Sequence, residues 1–82
     1  MPKTEQQIQA NKIKDLEAQG FYVIKLMKTN KNGIPDLLVL PPNTDTFFVE
    51  VKRPGGKPSA LQKYRMEELS KKGIRTEIHT GE

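Results

Sequence analysis

Eighty-two residues leave room for one small core, and a domain of this length buries only about 60 to 65% of the surface its unfolded chain exposes. Fourteen Lys and Arg against ten Asp and Glu give a net charge of +4 and a pI near 9.5, a balance that draws the chain toward polyanions. With no Cys and a single His, disulfides, thiolate zinc sites and histidine-rich metal centres are excluded, so any metal must sit among oxygen ligands, which points to magnesium or manganese.

No apolar run approaches the roughly 18 residues of a membrane span, and the start Met1-Pro2-Lys3-Thr4-Glu5 is too polar for a signal peptide. A cytoplasmic protein of one domain over residues 1–82 is expected. Thr4 followed three positions later by Gln7 has capping-box spacing, and the helix formers after it predict a helix over 5–19 that stops at Gly20. At 100° per residue, Ile8, Ile13 and Leu16 share one arc, and Glu5 falls in the middle of it, an acid on the stripe expected to be buried. Residues 21–27 are rich in aromatic and β-branched side chains and read as a strand, followed by the polar turn Lys28-Thr29-Asn30-Lys31-Asn32-Gly33. Residues 36–40 and 46–51 make two more strands, and the three form an antiparallel meander. Pro54-Gly55-Gly56-Lys57-Pro58 breaks the pattern. Ser59 with Gln62 repeats the capping spacing and opens a second helix over 60–72, with Leu61, Tyr64, Met66 and Leu69 as its inward stripe. Residues 74–79 form a last strand reached by a right-handed crossover, so that strands three and four pair in parallel. The order is αβββαβ, an α/β fold with a mixed four-stranded sheet flanked by helices.

Successive side chains of a strand point to opposite faces, so Glu50 and Lys52 share a face while Val51 turns away. The turn over 41–45 folds one strand onto the next and brings the carboxylates of Asp36 and Glu50 to the same end of neighbouring strands. Hydrolysis of a phosphodiester needs a nucleophilic water, neutralised charge on the transferring phosphoryl group and a protonated leaving oxygen. A carboxylate-bound divalent cation can supply the first two. Asp36, Glu50 and the Val51 carbonyl are the hard oxygen ligands such a cation accepts. An unperturbed lysine, with a pKa of about 10.4, is protonated at neutral pH and poor as a base, so Lys52 reads as a charge that orients the water and steadies phosphoryl oxygens. Singly, an acid after Gly33-Ile34-Pro35 is also a turn former, and Glu50 with Lys52 is also an ordinary same-face ion pair. The ordered combination is what points to chemistry.

Ile34-Pro35-Asp36 and Glu50-Val51-Lys52 together resemble the split Asp…Glu-X-Lys signature of the PD-(D/E)XK nuclease superfamily, and the likeness runs from end to end of the chain. Within that superfamily the chain is most similar to the VRR-NUC (virus-type replication-repair nuclease) family. The features are an acid in the first helix, Gly33 ahead of Pro35-Asp36, Glu50-Val51-Lys52, and a Gln near the start of the following helix. The resemblance implies a restriction-endonuclease-like core and magnesium- or manganese-dependent cutting of DNA. For stand-alone members of about this size it further implies homodimers acting on branched DNA such as four-way (Holliday) junctions. It assigns Asp36 and Glu50 as metal ligands, Lys52 as the catalytic lysine, and Glu5 and Gln62 as the helix-borne acid and glutamine of the active site. Two of these have competing explanations. An acid in a first helical turn is favoured by the macrodipole whatever its function, and Gln62 is also the third residue of a capping box.

Basic residues supply the expected DNA clamp: Lys28 and Lys31 in the turn before Asp36, Arg53 and Lys57 around the glycine-rich loop after Lys52. Lys63, Arg65, Lys71, Lys72 and Arg75 read as a solvated face, Tyr22 and Tyr64 as core or dimer-interface residues, and His79 as an exposed strand residue. Two rivals come from other classes. One is a non-catalytic nucleic-acid-binding module that keeps the fold, which should have lost at least one of Asp36, Glu50 and Lys52. The other is a small interaction subunit that recruits a replication or repair partner. Restriction enzymes, repair nucleases and phage resolvases share the scaffold, so fold alone does not choose among them.

Overall fold

The computed structural model describes residues 3–81, so Met1 and Pro2 of the polar start, and Glu82, lie outside it. Thr4 Oγ1 accepts the Gln7 amide at 3.1 Å while Gln7 Oε1 accepts the Thr4 amide at 2.9 Å, and this reciprocal cap starts helix α1, Glu5–Ala18. Gly20, at φ +88, then turns the chain into strand β1, Tyr22–Lys25. Strands β2, Leu37–Leu40, and β3, Phe47–Val51, follow; helix α2, Ala60–Lys71, carries the same reciprocal cap at Ser59 and Gln62; and strand β4, Thr76–His79, ends the fold. The αβββαβ order is as the sequence predicts, with each element within about three residues of its expected bounds.

The sheet runs β1-β2-β3-β4, antiparallel at the first two pairings and parallel at the third. Register then assigns the two faces. Leu37, Val39, Phe47, Val49 and Val51 point to one side, where they close the buried core with Ile8 and Leu16 of α1, supported by Ile13, Phe21 and Val23. Tyr22, Ile24, Leu38, Leu40, Phe48, Glu50 and Ile78 point to the other.

Helix α2 departs from the expected packing. None of its residues is buried: Leu61 is 43% and Tyr64 55% exposed, while Met66 and Leu69 are half-buried. At 100° per residue those four side chains fan over about 200°, too wide for one stripe. The helix is held instead at its polar points, Gln62 to Glu50 and Arg65 to the Asn32 carbonyl. Tyr22 is likewise no core residue, at 68% exposed, because its strand edge carries no covering helix on that face. Among the described residues no helix is long and apolar enough to cross a membrane.

Candidate active site

Asp36 sits in the bend that leads into β2, its carbonyl fixed by the Leu26 amide at 2.8 Å. One step beyond the Leu37–Val49 pair, the register sets Asp36 opposite Glu50. The Asp36 carboxylate closes the strand end by accepting the Val51 amide at 2.9 Å on Oδ2. Glu50 is 2% exposed, on the face away from the apolar core. Its Oε2 accepts the Gln62 side-chain amide at 3.2 Å and lies 3.5 Å from Lys52 Nζ, while Oε1 is buried with no hydrogen-bond partner among the described residues. Burial, and next the neighbouring Asp36 charge, push the Glu50 carboxyl up to about 7; Lys52 pulls the other way and does not win.

Lys52 continues the parallel ladder past β3, its amide donating to the His79 carbonyl at 2.9 Å. The chain then enters a tight turn in which the Gly56 amide bonds the Arg53 carbonyl at 2.8 Å. This turn forms one wall of a cleft of about 500 Å³ lined by Lys3, Glu5, Lys52, Arg53, Pro54, Gly55, Gly56 and Lys57. Lys28 and Lys31 line a separate hollow of about 250 Å³ in the excursion between β1 and β2. Two basic surfaces are thus formed by the segments that run into Asp36 and out of Glu50.

The buried, unpartnered Glu50 oxygen is the observation that tests the donor set against a metal. A carboxylate buried beside a second acidic side chain is stable as the neutral acid or when a cation takes the place of its proton. Asp36 and Glu50 therefore fit a hard divalent ion, with carbonyl, water or phosphate oxygens completing the shell. No third acidic or histidine side chain joins them among the described residues.

The model of the VRR-NUC domain family matches residues 3–82. The chain belongs to the VRR-NUC family. It is 34% identical over 58 residues to a protein of Acyrthosiphon pisum secondary endosymbiont phage 1 named "Putative nuclease p44", a match over 71% of this chain that spans 62% of the relative's length. A solved structure described as a VRR_NUC domain superposes at a TM-score of 0.83 with 34% identity, over 93% of this chain and 83% of that one.

In this VRR-NUC chain Glu5 is exposed, contrary to its expected place on a buried stripe. The first turn of α1 borders the cleft, so Glu5 faces the same space as Lys52 and does not pack under the sheet. Gln62 fills both of its candidate roles at once: Oε1 completes the cap on the Ser59 amide at 2.8 Å, which leaves Nε2 free to hold Glu50. Arg65 and Arg75 are not merely solvated. Arg75 stacks 4.0 Å over the Phe47 ring and pairs with Glu77, and Arg65 spans from α2 to Asn32. His79 is half-buried rather than exposed; burial first, and then Lys12, lower its pKa. Sequence reasoning did not single out Lys3, whose only signal was its position just ahead of the capped helix that carries Glu5.

Proposed function

We propose that this VRR-NUC chain, acting as one unit over residues 1–82, is a structure-selective DNA endonuclease dependent on magnesium or manganese. The observation that carries the reading is Glu50, buried beside Asp36 with one oxygen unpartnered and a lysine 3.5 Å away. Asp36 and Glu50, with the Val51 carbonyl, would hold the divalent ion. When bound, that ion supplies Lewis acidity and charge neutralisation at the scissile phosphate. Lys52 orients the attacking water and steadies the phosphoryl oxygens as charge develops on them. Water adds to phosphorus and one phosphorus–oxygen ester bond breaks, leaving a phosphate monoester and an alcohol. Gln62 holds Glu50 Oε2, Glu5 supplies a further acid across the cleft, and Lys28, Lys31, Arg53 and Lys57 grip flanking phosphates.

Branched DNA such as a four-way junction is the proposed substrate and a homodimer the proposed form, working in the cytoplasm of a host cell. Supporting the dimer is the sheet face away from α1, where Tyr22, Ile24, Leu40 and Ile78 are 68, 39, 37 and 48% exposed. An apolar surface of that kind suits a second copy better than a polyanion. Two cutting centres related by a two-fold axis suit paired incisions across a branch. The relative's name, which carries the word nuclease, supports the activity.

The test is a nicking assay on labelled four-way junction, flap, duplex and single strand, with magnesium, manganese or chelator. Metal-dependent cleavage, strongest on the junction and lost in Asp36→Asn and Glu50→Gln, is the expected result. Junction DNA that is bound yet left whole with either metal would turn the reading into that of a non-catalytic binding module.

A further inference from the structure

The two basic surfaces beside the carboxylates are anchored differently. Arg53 and Lys57 follow directly from β3, whereas Lys28 and Lys31 ride on a long excursion closed at its base by the Leu26 amide and the Asp36 carbonyl. A hydroxyl-to-carbonyl bond from Thr29 to Lys31, 2.6 Å, shapes this arc from within but ties it to nothing else. The tie to the rest of the molecule comes from α2. Arg65 Nε donates to the Asn32 carbonyl at 2.8 Å, across 33 positions of sequence. Its guanidinium also pairs with Glu68 at 2.8 Å, and the side chain is only 18% exposed. Beside it Gly33 lies against the helix at φ +83: a Cβ there would stand 2.7 Å from Leu61 Cγ and 3.3 Å from Arg65 Cγ. Between Leu61 and Arg65 on the same helix stands Gln62, which holds Glu50. One short stretch of α2 therefore grips the excursion and the buried acid together.

We infer that Arg65 is a positioning residue. Through the Asn32 carbonyl it fixes the arc bearing Lys28 and Lys31 against α2, in register with the carboxylate pair, and it does not itself contact DNA. The inference rests on the reading of the site given above. Local neutralisation by Glu68 and a side chain only 18% exposed leave the guanidinium poorly suited to a phosphate. A lysine in its place would keep the charge but could not reproduce the planar fork that reaches a carbonyl and a carboxylate at once.

Anisotropy titrations of a labelled four-way junction, with chelator present so that strands stay whole, test this in Arg65→Lys and Arg65→Gln. Both variants should weaken binding roughly tenfold, the scale of one lost charged hydrogen bond. In a Lys28→Ala, Lys31→Ala background the further change from Arg65→Lys should be less than about twofold, because the two sites act as one. Amide exchange over residues 28–34 should quicken in Arg65→Lys while β2 and β3 keep their protection. If Arg65→Gln fails to fold, Arg65→Lys carries the test alone. Binding like wild type in Arg65→Lys, an equal loss with and without Lys28 and Lys31, or unchanged exchange over 28–34 would overturn the inference. Wild-type protein with no affinity for any DNA would overturn the reading of the site itself, a different result from an Arg65 variant that fails to behave as stated.

Discussion

Glu50 is the residue at which burial and charge oppose each other. Its folded pKa of about 7 lies above the ordinary carboxyl value of 4.5, with burial and Asp36 as the main causes. Below the ordinary value it is protonated whether the chain is folded or not, and it costs nothing. As pH rises, the unfolded chain releases the proton first, so stability falls until the folded pKa is passed. The loss by pH 8 is on the order of 3 kcal/mol in the absence of metal. Glu50→Gln should therefore gain stability over wild type between pH 5 and pH 8 in chelator, as read by urea unfolding, while losing all stabilisation by manganese. Equal pH dependence in the two proteins would mean that Glu50 is not held protonated by its surroundings. Gln62 allows a second separation at the same scale. A capping box accepts Glu as readily as Gln, but only the amide can donate to Glu50. Gln62→Glu should leave α2 helicity unchanged by circular dichroism and lower turnover at least tenfold, roughly the effect of one lost charged hydrogen bond. Gln62→Ala should lose about 1 kcal/mol of stability as well.

At the scale of elements, β3 carries both a face of the core and the buried acid of the proposed site. Phe47, Val49 and Val51 build the apolar side and Glu50 the other, so one five-residue strand fixes the acid by burying its neighbours. Val49→Ala should cost about 2 to 3 kcal/mol in a denaturation experiment, whereas Tyr64→Ala on half-exposed α2 should cost less than about 1. The reverse order would mean that α2 bears the core. Much of this was legible in the chain. Aromatic, β-branched and apolar runs bounded by turn residues located the strands, two capping boxes located the helices, and the Asp36, Glu50 and Lys52 spacing located the carboxylate pair with its lysine. What escaped was long-range packing. The spread of Leu61, Tyr64, Met66 and Leu69 around α2 was a local signal that they form no single stripe. That Arg65 reaches Asn32 could not be read from spacing, because the contact depends on how the excursion folds over the helix. Glu5 likewise obeys its helical arc, yet the arc's first turn opens onto the cleft, which only the placement of α1 over the strand ends decides.

For the whole molecule, the basic residues and the exposed apolar residues fall into separate groups. Six of the fourteen Lys and Arg gather in two groups that can meet phosphate, Lys3, Lys52, Arg53 and Lys57 around the cleft with the acid Glu5 among them, and Lys28 and Lys31 in the arc. Tyr22, Ile24, Leu40 and Ile78 lie on the sheet face opposite α1 and offer no charge. If two copies meet there, both sets of cations engage a junction in one complex. Each neutralised phosphate contributes about −0.9 to the slope of log affinity against log salt. Four cations from one protomer, Lys28, Lys31, Arg53 and Lys57, predict a slope of about −3.5, and a dimer with both engaged predicts about −7. Tyr22→Ser combined with Ile24→Asn removes apolar surface without adding charge. It should therefore halve the slope and shift the sedimentation mass to that of one chain, leaving metal-dependent nicking of a single strand intact. A slope near −7 that persists in a monomeric variant would place additional phosphate contacts within one protomer and remove the reason for a second copy.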